Sequence, residues 1–157
     1  MASGKVSYRM ISVKYGIYTG LAHIAFFLLM RVLDLQNRVE LSLLSGLFLV
    51  IGIVVAISSY KRAVHGMIPY LKGLAIGGTV GVVSSVILAL FLVVYLTVLD
   101  TEYLESLQVS SLFPQSLSVL SVFVMTILYG TVPGVIIGFI AMQWFKRPDH
   151  TTAEQIR

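Results

Sequence analysis

The sequence predicts an all-α integral membrane protein, a single bundle of four transmembrane helices over residues 1–157, and three observations carry that prediction. Hydrophobic residues make up 57% of the chain and charged residues 11%, where a typical soluble domain carries about 25% charge. The mean hydropathy is +0.93. The apolar residues also run in four continuous stretches, each reaching the roughly 20 residues a helix needs to cross about 30 Å of hydrocarbon. So few charges cannot cover the surface of a water-soluble domain of this length, so the bilayer must be the solvent. The runs lack the period-two alternation of barrel strands, which leaves helices.

Span one covers about 15–33, span two about 41–60, span three about 69–99 and span four about 117–145, followed by a tail at 146–157. The last two exceed a perpendicular crossing and are expected to tilt or to project beyond the hydrocarbon. Span one has a basic start, as a secretory signal has. Its apolar run passes into Arg31 without a small-residue cleavage site, so it is expected to be an uncleaved anchor. Lys5, Arg9 and Lys14 precede it, Lys61, Arg62 and Lys72 flank the second connection, and Lys146, Arg147 and Arg157 follow span four, nine of the eleven basic residues. Asp34, Glu40, Asp100, Glu102 and Glu105 fall on the opposite side, with Arg31 and Arg38. The positive-inside rule therefore predicts both termini in the cytoplasm. Trp144 beside Lys146, Tyr15 and Tyr18 after Lys14, and Tyr70 before Lys72 fit an interfacial belt on that side.

Span three carries Gly73, Gly77, Gly81, Ser85 and Ala89, each four residues apart, and span four carries Gly130, Gly134 and Gly138. Glycine is disfavoured inside a helix by roughly 1 kcal/mol relative to alanine, so such a ladder needs a reason. In lipid, burial of apolar surface gives helices little cause to associate, and small residues let backbones approach until dispersion holds them. Aligning Lys72 with Trp144 brings Gly77 near Gly138 and Gly81 near Gly134, so the default expectation is one antiparallel packing groove. The sharper alternative is an oligomeric glycine zipper around a conduction path. Shorter small-residue pairs stand in span one (Gly16, Gly20) and span two (Ser42 with Gly46, and Gly52 with Ala56).

His23, Tyr129 and Pro133 form the candidate intramembrane polar set. His23 is the sole ionisable side chain deep in a span, and such residues are functional candidates by default. The alternative is a neutral imidazole hydrogen-bonded to a neighbouring hydroxyl or carbonyl. No buried carboxylate or second histidine offers a relay, which favours the structural role. Pro133 removes the helix bond to the Tyr129 carbonyl and predicts a kink. The freed carbonyl then needs a partner, from Thr131 or from span three. The acidic stretch "LDTEYLESLQVSSLFPQS" has no calcium-loop spacing; Tyr103, Leu104, Leu107 and Leu112 suit a short amphipathic helix on the outer surface.

No nucleophile–base pair, phosphate-binding glycine loop or metal cluster is present in the sequence, and the chain has no cysteine. No catalytic, cofactor or metal residue is therefore expected, and the chain is read as not an enzyme. The net charge of +4 sits in short clusters between apolar runs, which argues against nucleic acid as a partner. Expected partners are the lipid bilayer and either other membrane subunits or a second copy.

"VKYGIYTG" at span one, "YKRAVHGMIPYLKGLAIGGTVGVVSSVI" leading into span three, "VLDTEYLES" and the closing "GFIAMQWFKRP" together resemble domain of unknown function 4199, a family of bacterial membrane proteins frequent in Bacteroidota. Family members commonly have proline in the acidic turn where this chain has Thr101. The resemblance implies a four-helix protein of a bacterial inner membrane and brings no activity or catalytic residue with it. The expectation is a non-catalytic membrane component, an accessory or scaffold subunit of a larger complex; the alternative is a small oligomeric channel or transporter using His23 and the glycine faces.

Overall fold

A computed structural model of the chain describes residues 7–33, 35, 39–64, 68–99 and 118–145. These form four helices: α1 (Tyr8–Val32), α2 (Val39–Val64), α3 (Tyr70–Val94) and α4 (Val119–Phe145), with a π-helical turn at Tyr95–Leu99 continuing α3. All four are long and apolar enough to cross a membrane. Helix α1 starts earlier than the apolar pattern alone indicates, because Tyr8, Arg9 and Met10 are good enough helix formers to extend it past the hydrocarbon. Residues 101–117 and 146–157, with the amphipathic helix expected in the former, lie outside the described residues.

The helices alternate in direction, and one end of the bundle gathers the basic side chains. There the Tyr8 and Tyr60 rings meet edge to face at 6.3 Å, and Gln143 donates to the Tyr70 hydroxyl at 3.3 Å. Lys61 Nζ lies 5.9 Å from the Phe145 ring centre. These contacts bring the start of α1 to the end of α2, the start of α3 to the end of α4, and the ends of α2 and α4 together.

Helix α3 is the hub. It packs most extensively on α4 and next on α1, and it also touches α2. Its buried face reads Gly73, Ile76, Gly77, Val80, Gly81, Ser84, Ser85 and Ala89. The main core joins Leu49, Ile53, Ile57 and Tyr60 of α2 to Ile76 and Val80 of α3 and Ala141 and Met142 of α4. Large aliphatic residues face outward along every helix, and α4 exposes Leu120, Val124, Leu128, Val132, Ile136 and Ile140 in a continuous ridge. That inversion is what a bilayer allows: leucine gains nothing by leaving lipid for protein, whereas backbone contact between small residues does gain dispersion.

Several hydroxyls bond within their own helix. Ser12 donates to the Tyr8 carbonyl at 2.7 Å, Thr19 to Tyr15 at 2.8 Å and Thr126 to Val122 at 2.7 Å. Each bond runs back one turn along its own helix, as it must where no water is available.

Candidate functional site

The glycine ladders of α3 and α4 face each other in an antiparallel seam. A Cβ added at Gly77 would stand 2.7 Å from the Gly138 Cα, and one at Gly134 would stand 2.9 Å from the Gly81 Cα. A Cβ at Gly130 would overlap the Ser85 side chain, and one at Gly73 would overlap Met142. Each four-residue step up α3 is thus matched by a four-residue step down α4. Ser85 keeps the seam smooth by donating its hydroxyl to the Gly81 carbonyl at 2.7 Å, which also accepts from Ser84 at 3.1 Å.

The short glycine pair of α1 lies against the other flank of α3. A Cβ at Gly16 would come within 2.7 Å of the Val83 Cβ, and one at Gly20 within 3.0 Å of the Ile87 Cβ. Gly52 of α2 accommodates Thr19 of α1, whereas Gly46 has nothing within 4 Å.

The intramembrane polar residues do not converge. His23 turns toward α2: its Nε2 lies 2.9 Å from the Ser45 carbonyl, and its ring meets Phe48 edge to face at 6.3 Å. Because a carbonyl only accepts, Nε2 is the donor in this contact, and Nδ1 is the ring's other polar atom. That Nδ1 is buried and has no protein partner. Tyr129 points outward from α4, 70% exposed. The α-helix runs unbroken through Pro133. Thr131 does not take up the carbonyl that Pro133 frees: its Oγ1 is buried with no hydrogen bond. Tyr15 shares a hydrogen bond of 2.7 Å with Ser59 near the end of α2.

At the opposite end of the bundle lies a cluster that periodicity did not single out. Tyr95 and Leu96 are buried in the π-helical turn, with Phe27, Phe91 and Val122 packed around them. Arg31 Nε donates to the Tyr95 hydroxyl at 3.1 Å, tying the end of α1 to the end of α3. A wider turn inserts one extra residue per helical repeat, and a uniformly apolar run offers no mark of where that happens.

Comparison with curated proteins and with solved structures found no match. A family model described as a protein of unknown function, DUF4199, matches residues 14–147, from the last basic residue before the first span to the pair that ends the fourth. Four apolar helices and that match across most of the chain make this protein a member of the DUF4199 family.

Proposed function

We propose that this chain is a non-catalytic integral membrane component, an accessory or scaffold subunit that assembles with other membrane proteins, with both termini in the cytoplasm of a bacterial cell. The observation that carries this reading is how the small-residue faces are used. The seams that would otherwise serve oligomerisation are spent inside the four-helix unit, at Gly77 against Gly138 and Gly16 against Val83. Among the aliphatic faces left outward is the long ridge of α4 from Leu120 to Ile140, a surface suited to another transmembrane helix.

Photo-crosslinking residues at Val132 and Ile136 in native membranes test this. The expected product is one discrete adduct, the same at both positions, that contains a different membrane protein. Adducts with lipid alone, or with a second copy of the chain, would overturn the scaffold reading.

One observation favours a small channel or transporter instead: the buried Nδ1 of His23 has no hydrogen-bond partner within a span. Proton flux through reconstituted vesicles that disappears in a folded His23→Gln variant would move the conclusion to that reading.

A further inference from the structure

On α3, Gly78 is the glycine that the seam with α4 leaves without a purpose. It stands beside Gly77, but a Cβ there would meet only the Val135 Cγ2, at an ordinary 3.4 Å. Alanine would fit and would favour the helix, so close packing of α4 does not account for the missing side chain. What Gly78 does create is space. With Leu71, Leu74, Ala75, Thr79, Val82 and Val135 it lines an open groove of about 510 Å³ along the outer side of the α3–α4 seam.

The dimensions of the groove select an occupant. From Leu71 to Val82 it follows eleven residues of α3, about 16 Å at 1.5 Å per residue, which is about half of a 30 Å hydrocarbon core. It is therefore one leaflet long, and its lining is aliphatic except for Thr79. Lys72 stands at its basic end, one turn from Ala75 and two from Thr79, so that it flanks the rim of the groove without lining it. The lysine is exposed and its stem leans toward the start of the helix, toward the membrane surface. A cation at the mouth of a leaflet-long apolar slot matches an anionic headgroup above an acyl chain. The amide groups at the start of α3 add positive potential at the same place.

We propose that this groove holds one acyl chain of an anionic phospholipid from the leaflet on the Lys72 side, with Lys72 pairing its phosphate. The slot adjoins the α4 ridge used for that reading, because Val135 stands one turn from Val132, but its occupant is a lipid chain and the proposal does not need a partner subunit.

The test is native mass spectrometry of the full chain after mild delipidation in an equal mixture of phosphatidylglycerol and phosphatidylcholine. The wild-type chain should retain one phospholipid, with phosphatidylglycerol favoured about fivefold, the factor that one lysine near a membrane surface supplies. Lys72→Gln should retain a lipid and lose the preference. Gly78→Leu fills the floor of the groove and should retain none, with its helical circular dichroism unchanged and its melting not lowered. If that variant does not fold, Val82→Trp closes the groove from the rim and should give the same loss. Retention by the filled variants at wild-type level, or a wild-type chain that keeps no lipid, overturns the proposal. So does a wild-type dimer that falls to monomer on filling the groove, because a second copy would then be the occupant.

Discussion

Replacing Gly77 with alanine sets the packing role of that glycine against its intrinsic helix preference, because the two effects have opposite signs. Alanine is favoured in a helix by about 1 kcal/mol. Its methyl group, however, would stand 2.7 Å from the Gly138 Cα and 2.8 Å from the Gly134 carbonyl oxygen. Both are backbone atoms of α4, so no change of rotamer makes room. Reaching ordinary contact at 3.4 Å requires α4 to retreat by about 0.7 Å. A gap of that size forfeits about a quarter to a half of the dispersion energy of each close atom pair along the seam. Overpacking of this kind costs about 1–3 kcal/mol, which leaves a net loss of about 0–2 kcal/mol after the gain in propensity. Gly46→Ala is the control, since nothing lies within 4 Å of that position and only the favourable propensity remains. Steric trapping in bicelles measures both unfolding free energies under native conditions. The expected result is Gly77→Ala below Gly46→Ala by about 1–3 kcal/mol. Equal stabilities would refute the close backbone contact.

Leucine at Gly81, whose Cβ would lie 2.8 Å from the Gly130 carbonyl, should lower detergent stability clearly, whereas Val132→Leu on the exposed ridge should change it little. His23→Gln keeps a donor for the Ser45 carbonyl and should fold and assemble as the wild type does, while His23→Leu should lose about 0.6 kcal/mol, the mean for hydrogen bonds between membrane helices; chemical denaturation of the two variants separates them. Tyr95→Phe removes the acceptor of the Arg31 bond and should destabilise by about 0.5–1.5 kcal/mol, read by the same titration. A cysteine at Glu105 should react with an impermeant thiol reagent added to intact spheroplasts and one at His65 should not; the reverse pattern would invert the orientation.

The four spans were legible because crossing a bilayer is a constraint on length and polarity alone, and both are written in the order of residues. The boundaries moved where the chain leaves the hydrocarbon, as at Tyr8, since nothing there demands apolar side chains. The glycine register was legible for a related reason: two ladders with the same four-residue step, on consecutive helices joined near one face, have few ways to meet. Met142 against Gly73 was not legible, because a flexible side chain can fill a gap that the pattern assigns to another small residue. Neither was the partner of Tyr15, whose hydroxyl bonds Ser59, since a hydroxyl can pair with any polar group within its reach. His23 stood out as an ionisable residue, but its acceptor is a backbone carbonyl, and every residue has one of those. Gly78 was hidden by its neighbour Gly77, since a dipeptide of glycines gives no sign that its two members face different surroundings.

The distribution of small residues around α3 also fixes how that helix can move. Toward α4 it presents its own glycines, and the partner's glycines meet them backbone to backbone. Toward α1 it presents Val83 and Ile87, and there α1 supplies the glycines that receive them. A rotation of α3 about its axis in one sense would drive Val83 toward the glycines of α4, where no side chain fits, and in the other sense would turn its own smooth stripe toward α1, leaving a gap. Interfaces of opposite relief on two flanks therefore admit one rotational setting, although the helix is apolar all round and its hydrophobicity prefers none. That locking accounts for the cost of five small residues in a row better than adhesion alone does. Adhesion needs one smooth face, while a unique orientation needs relief that differs from flank to flank.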